Sequence, residues 1–262
     1  MIKLVAMDLD NTLLNKDGTI SANTLSLIHE LNKNGVHFAV ATGRSFHSAN
    51  YIADKISMDA PVICYNGALI KDASNNVLFE SGLDYASVKE ILSFAYENDI
   101  YVQLYDKDVI VVDRLRPEMH PDPDLKFTDY REVGNLLKVK PFKTPKMLLA
   151  TDPAKVPFFQ KELERRYSDS LFFAQSEPHL IEVMPKGVDK GAALKRLANI
   201  LGIELKETMA MGDNTNDILL LQAAGVAVAV ANAVPKVKAV ADYVCKNTRS
   251  RGVAEALKRF CL

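Results

Sequence analysis

The chain is predicted to be an α/β protein, a parallel-sheet core domain interrupted by an inserted α+β domain. Three observations predict it. Short apolar runs alternate with amphipathic stretches at both ends of the chain. Strand candidates in the middle fall in adjacent pairs. Carboxylates and other polar residues cluster directly after the apolar runs. The 262 residues are 48% hydrophobic and 25% charged, ordinary for a soluble globular chain long enough to bury a large core without staples.

Taken in order, Ile2 to Met7 is an apolar run read as a buried strand. Ser21 is placed to cap a helix through Asn34, with Leu25, Ile28 and Leu31 on one face and Gly35 as its stop. Val36 to Ala41 is the second strand and Ser45 to Ile56 the second helix; Pro61 to Tyr65 is the third strand, ended by the turn pair Asn66-Gly67. Such alternation implies right-handed crossovers and a parallel sheet with helices on both faces.

From Gly82 to Lys186 the pattern changes. Helical stretches at Asp84–Asn98 and Pro153–Tyr167 accompany two close pairs of strand candidates, Ile100–Tyr105 with Val109–Val112 and Leu171–Ala174 with His179–Val183. Short separations predict antiparallel hairpins. Alternation then resumes with helix Asp189–Leu201, strand Thr208–Met211, helix Thr215–Ala224, strand Val226–Val230 and helix Pro235–Val240. The domain division expected is 1–82 with 187–262 for the core and 83–186 for the insert.

Charge and composition exclude several classes. Lys and Arg number 32 against 33 Asp and Glu, so bulk phosphate neutralisation of a nucleic acid is not expected. No basic run marks a membrane surface. The longest apolar stretch, Ala223 to Val234, is too short to span a bilayer, and no secretory leader is read at the N-terminus. The three cysteines lack C-x-x-C spacing, which points to a reducing compartment. A cytoplasmic protein is expected, with a small-molecule partner, no nucleic acid and no membrane, as a monomer or small homo-oligomer.

In open parallel sheets, ligands bind beyond the carboxyl ends of the strands. Asp8-Leu9-Asp10-Asn11-Thr12 follows the first strand, Thr42-Gly43-Arg44 the second, and Gly212-Asp213-Asn214-Thr215-Asn216-Asp217 a strand near the C-terminus. Asp8, Asp10, Asp213 and Asp217 are thus expected on one rim. Each alone reads as an ordinary helix cap, but four like charges at close range need a cation, and an all-oxygen set suits Mg²⁺ with a phosphorylated substrate. Asp-x-Asp-x-Thr arises by chance in roughly one such chain in ten, and Gly-Asp-x-x-Asn-Asp in only about a few per thousand. Finding both, in order and each after a strand, favours function. Lys190 falls in the first turn of a helix capped by Asp189, where a cation opposes the macrodipole. Gly191 beside it is read as letting backbone approach a ligand. Arg44 sits equally badly at a helix start and is expected to point to solvent or stay without a role. Asn15-Lys16-Asp17-Gly18 reads as a tight hairpin turn.

Asp8 to Thr12, Thr42, Lys190 and Gly212 to Asp217 together resemble the four signature motifs of the haloacid dehalogenase superfamily of phosphohydrolases. The similarity continues through Asn66-Gly67-Ala68, Glu182 to Gly191, Ala223-Ala224-Gly225 and Asn232-Ala233, a set that resembles the Cof-type sugar-phosphatase subfamily. That resemblance implies a Rossmann-like core with a type 2 cap (the IIB arrangement) and a Mg²⁺-dependent phosphatase of small phosphorylated metabolites, sugar phosphates above all. It implies that Asp8 attacks phosphorus to form an aspartyl phosphate, and that Asp10 is the acid and then the base. Mg²⁺ would be held by Asp8, the Asp10 carbonyl and Asp213, with Asp217 assisting. Leu9, Thr42, Gly43, Lys190 and Asn216 would cradle the phosphoryl oxygens. The 15–18 turn is similar to the flap of that superfamily. Substrate discrimination is expected on the cap's sheet face. Three positions depart from the subfamily: Asn11 for Gly, Ala231 for Gly, and Ser250-Arg251-Gly252 for an acidic pair plus Gly. Rival readings are a phosphosugar mutase and a non-catalytic phosphosugar sensor.

The remaining candidates read blandly. Cys64 is a core thiol; His29, His37 and His47 lack metal-ligand spacing. His120 and His179 fall in the insert, where Arg114, Arg116 and Arg131 read as solvated loop residues.

Overall fold

The structure is a computed structural model that describes residues 1–56, 60–107, 109–116, 129–140, 142–175 and 177–262. In chain order, β1 (Leu4–Met7), α1 (Ala22–Lys33), β2 (His37–Ala41), α2 (Phe46–Ile56), β3 (Val62–Cys64), β4 (Leu69–Lys71) and β5 (Val77–Glu80) come first. Next are α3 (Tyr85–Glu97), β6 (Tyr101–Asp106), β7 (Val109–Val112), β8 (Asp129–Glu132), β9 (Met147–Ala150), α4 (Val156–Tyr167), β10 (Leu171–Ala174) and β11 (Leu180–Pro185). Last come α5 (Lys190–Ile200), β12 (Thr208–Gly212), α6 (Ile218–Ala223), β13 (Val226–Ala229), α7 (Pro235–Lys238), β14 (Tyr243–Val244) and α8 (Arg249–Phe260). None of these helices is long and apolar enough to cross a membrane.

The chain divides into two compact units, Met1–Phe79 with Asp189–Leu262, and Glu80–Val188. The first contains a sheet of order β14-β13-β12-β1-β2-β3-β4-β5. From β14 to β3 every pairing is parallel, and β4 returns antiparallel to β3. The predicted α/β core with an inserted α+β domain is borne out. The short strands β4, β5 and β14 and the helix α8 were not expected. Strands of two to four residues leave too few residues for period-two alternation to show.

Local chemistry accounts for the elements. The Ser21 side chain accepts from Thr24 N at the start of α1, a cap worth about 1 kcal/mol. Gly35 stops that helix at φ 90°, where a side chain would be strained. The buried face of α1 is Thr24, Leu27, Ile28 and Leu31, while Leu25 is only half-buried. Thr24 takes that place because its hydroxyl reaches the Ser250 carbonyl of α8 at 2.8 Å.

In the inserted unit, β6 with β7 and β10 with β11 form the expected antiparallel hairpins. The sheet order is β10-β11-β9-β6-β7-β8, so β9, unforeseen, joins the two pairs. β8 runs parallel to β7, a departure from the antiparallel expectation. Val102, Leu104, Met147, Leu149, Ile181 and Val183 face α3 and α4 in one apolar cluster. The alternate residues Gln103, Lys146 and Glu182 lie on the opposite face, where Lys146 Nζ donates to Glu182 Oε1 at 3.1 Å and both are buried. His120 lies outside the described residues. Arg131 is not a bare loop cation, since it sits on β8 and pairs with Asp106 at 3.0 Å.

Candidate active site

Strand order builds the site. In the core sheet β12, β1, β2 and β3 are consecutive neighbours, and β1 is where the chain reverses its direction of travel across the sheet. Met7 pairs with Met211 on one side and Val40 on the other. The residues just past these strands therefore line up as Asp213, Asp8 and Thr42. Such a switch point is where open α/β sheets bind ligands. Asp8 N donates to Met211 O at 3.0 Å, Thr42 N to Ile63 O at 2.9 Å, and Asn66 N to Thr42 O at 2.9 Å. Backbone bonds thus tie the end of β1 to β12 and the end of β2 to β3.

After Asp8 the chain makes a wide turn, closed by Leu13 N to Asp8 O (3.2 Å) and Leu14 N to Leu9 O (2.8 Å). Asn11 takes the left-handed conformation this turn requires, φ 61°. Asparagine tolerates that region better than most side chains, so the turn survives the departure from glycine. Leu9 and Thr12 are buried within it, and Thr12 Oγ1 donates to Asp213 Oδ1 at 2.9 Å.

The second loop folds back tightly. A Cβ on Gly212 would lie 2.4 Å from Asp217 Cβ, so only glycine fits. Asp217 Oδ2 accepts from the Asp213 and Asn214 amides at 3.0 and 3.1 Å. Lys190 reaches in from the first turn of α5, capped by Asp189, whose carboxylate accepts from Ala192 N. Its ammonium donates to Asp8 Oδ1 at 2.6 Å and to Asp217 Oδ1 at 2.7 Å. Asp8, Asp213, Asp217 and Lys190 are all buried.

Ligand atoms of Asp8, Asp213 and Asp217 lie within 4.8 Å of one another, the only His, Cys, Asp or Glu cluster among the described residues able to hold a metal ion. Burial holds Asp8 well above the usual carboxylate range, against the Lys190 charge and with the help of Asp217, Asp10 and Asp213. Burial and the Asp217 charge likewise push Asp213 to about 6. Burial opposes the charge on Lys190, yet Asp217 and Asp8 outweigh it and hold the ammonium above its ordinary value. A cation would relieve the repulsion that makes these carboxylates reluctant to ionise, and an all-oxygen set suits a hard one. Lys190 occupies one Asp8 oxygen, and both Asp217 oxygens have donors. Among the described residues no side-chain donor is bonded to the second oxygens of Asp8 and Asp213, and these fit a divalent ion.

Three of the four expected carboxylates meet. Asp10 stands apart: its exposed carboxylate is held by Arg44, Nε to Oδ2 at 2.8 Å and Nη2 to Oδ1 at 2.5 Å. Arg44 therefore does not point free into solvent; it also donates to Ser48 Oγ at 3.2 Å. Thr42 is buried, and its hydroxyl accepts from Arg44 N. Asn216 donates to Asn66 Oδ1 at 3.3 Å, and Asn66 presses on Gly43, where a Cβ would lie 3.3 Å from Asn66 Oδ1. Asn66 links Thr42, Gly43 and Asn216, a position that the sequence marked as a turn residue and as part of the family resemblance, without a role in the site. Its φ of 52° and its burial explain why a turn signal was the visible part. Gly191 corrects an expectation: a Cβ there would meet Leu219 O at 2.1 Å, so the glycine serves close packing of α5 on α6, not a ligand. The 15–18 segment is a hydrogen-bonded turn, Gly18 N to Asn15 O at 3.0 Å, without flanking strands.

Ser250, one of the departures, is buried and ties α8 to α1, its Oγ accepting from Ser21 N at 2.9 Å. His29 bonds the Lys55 carbonyl, and Cys64 is wholly buried in β3. His179 is half-buried just before β11.

A buried carboxylate at the end of the central strand, with a buried lysine and a second acidic loop, fits a phosphohydrolase-type site on an α/β core. The chain belongs to the haloacid dehalogenase-like hydrolases, whose sequence pattern matches residues 5–257. Among relatives, it is 30% identical to "Phosphatase YwpJ" of Bacillus subtilis, over 98% of this chain and 99% of that one. It is 28% identical to "5-amino-6-(5-phospho-D-ribitylamino)uracil phosphatase YwtE" of the same organism, over 97% and 96%. A haloacid dehalogenase-like hydrolase from Bacteroides thetaiotaomicron superposes with a TM-score of 0.85 at 29% identity, covering 99% of both chains. The protein is a phosphatase, a phosphoric monoester hydrolase.

Proposed function

We propose that the protein is a Mg²⁺-dependent phosphatase of small phosphorylated metabolites, sugar or sugar-alcohol phosphates, working through an aspartyl phosphate on Asp8. The observation that carries this is the Lys190 bridge between Asp8 and Asp217. It favours the charged form of a buried carboxylate against its desolvation and orients it at the end of the central strand, as a nucleophile needs. The relative that acts on a ribityl phosphate supports the substrate class.

Asp8 attacks phosphorus in line with the leaving oxygen, and the P–O bond to the metabolite breaks. Asp10 gives its proton to the departing alkoxide, then takes one from the water that hydrolyses the acyl phosphate. Arg44 holds the Asp10 carboxylate between these events. Lys190, the Thr42 hydroxyl, Asn216 and the amides of Leu9 and Gly43 receive the phosphoryl oxygens. Asp8 and Asp213, with the Asp10 carbonyl, would hold Mg²⁺, and Asp217 acts by anchoring Lys190 and the loop. When bound, the ion supplies neutralisation of the phosphoryl charge, the dominant requirement in phosphoryl transfer.

The test is phosphate release from a panel of sugar phosphates, polyol phosphates, nucleotides and p-nitrophenyl phosphate, before and after dialysis against EDTA. Release that EDTA abolishes and Mg²⁺ restores is expected. A transferred phosphate with an isomeric product would indicate a mutase, and ligand binding without release a sensor.

A further inference from the structure

Behind the turn that carries Asp10, three side chains from distant parts of the core unit close a ring. Asn232 Nδ2 donates to the Asn11 carbonyl at 2.8 Å. Arg249 N donates to Asn232 Oδ1 at 3.0 Å. Arg249 Nη2 donates to Asn11 Oδ1 at 3.1 Å. Both Asn11 and Arg249 have positive φ, 61° and 50°. A long side chain rarely adopts that region and persists there only where its surroundings over-determine it.

The two wide-turn bonds engage Asp8 and Leu9 on one side and Leu13 and Leu14 on the other. They leave the segment between, Asp10 and Asn11, with non-helical backbone angles and exposed. The ring supplies what is missing, since it grips the Asn11 carbonyl and side chain, one peptide from Asp10. Arg44 holds the Asp10 carboxylate from the other side. A glycine at position 11 would offer Arg249 no side-chain oxygen, so the Arg249 half of this grip exists only because asparagine stands there, while Asn232 holds the backbone carbonyl.

We propose that Arg249 and Asn232 are positioning residues for Asp10, holding the Asn11 peptide so that the carboxyl meets the leaving-group oxygen. The proposal rests on the acid–base reading of Asp10. The Asn11 bonds are solvent-exposed, and such bonds add little to global stability. Helix α8 is anchored elsewhere, by buried Val253, Ala256 and Leu257.

The experiment compares Arg249→Ala, Arg249→Lys, Asn11→Gly and the Arg249→Ala/Asn11→Gly double variant with wild type and Asp10→Asn. It uses p-nitrophenyl phosphate, whose leaving group needs little protonation, and the alkyl phosphate that wild type hydrolyses fastest. The readout is kcat/KM, which covers only steps through departure of the leaving group. The expected result is a loss of about tenfold for the alkyl phosphate with less than about twofold for the aryl one, a weaker copy of the Asp10→Asn pattern. Arg249→Lys should recover part of the loss, and the double variant should be no worse than either single one. Equal losses on both substrates, additive losses, or no loss would overturn the positioning role. Wild type releasing phosphate from neither compound would instead overturn the phosphatase reading on which it rests.

Discussion

Lys190 and Asp8, 182 residues apart in sequence, meet at 2.6 Å inside the core unit. The same ammonium reaches Asp217 at 2.7 Å. One lysine thus balances two members of a buried carboxylate triad. Lys190→Met should leave that triad uncompensated and cost about 3–5 kcal/mol of stability in metal-free buffer, as removal of one partner from a buried pair does. Urea unfolding checks this. Adding Asp217→Asn to that variant should restore part of the loss, and equal stability of Lys190→Met and wild type would contradict the bridge.

Asp8 and Asp10 separate by chemistry. Asp8→Asn has no attacking carboxylate, so turnover should vanish and no ³²P should remain on acid-quenched protein. Asp10→Asn keeps the nucleophile and loses a proton carrier whose contribution is typically about 10²–10⁴-fold. Hydrolysis of the acyl phosphate also needs that group, so label should accumulate above the wild-type level. Label on Asp8→Asn equal to wild type would place the nucleophile elsewhere.

Two glycines should fail in different ways. A methyl at 191 meets the Leu219 carbonyl at 2.1 Å, and one at 212 meets Asp217 Cβ at 2.4 Å. Gly191→Ala forces α5 and α6 apart and should lower stability by about 1–3 kcal/mol or more. Gly212→Ala displaces Asp217 from the Asp213 and Asn214 amides and should remove most activity. Melting temperature and kcat, measured on both, distinguish the two losses.

Glu255 on α8 should make the protein acid-sensitive. Burial disfavours its charge, but bonds from Lys246 N, Tyr243 Oη and both nitrogens of Asn247 outweigh that and hold it at about 2, below its ordinary 4.5. The charged form is the one the fold prefers, so its contribution is complete above pH about 4.5 and disappears as pH falls through about 2. Glu255→Gln should be less stable at neutral pH and lose less between those values. Urea midpoints at pH 7, 4 and 3 test it, and parallel curves for the two proteins would refute it.

Much of this was legible in the residues themselves. Ser21, Asp84 and Asp189 announce helix starts because a cap is a contact over three residues. Asp8 and Asp213 announce the site because each comes just after an apolar run, Asp217 closes the same polar loop as Asp213, and like charges so placed require a partner. Sequence alone therefore determined the α/β class, the inserted domain and the polar loops after the strands. Tertiary structure decided what depends on which strands are neighbours. The order β12-β1-β2-β3 brings Asp213, Asp8 and Thr42 side by side, and no local pattern encodes that order. It turned Asp10 onto Arg44, spent Gly191 on helix packing, made Asn66 the link between three loops and set Arg249 against Asn11. Each of these is a contact between residues far apart in sequence, set by the closing of the sheet, whereas propensity and periodicity report only on the residues within one element.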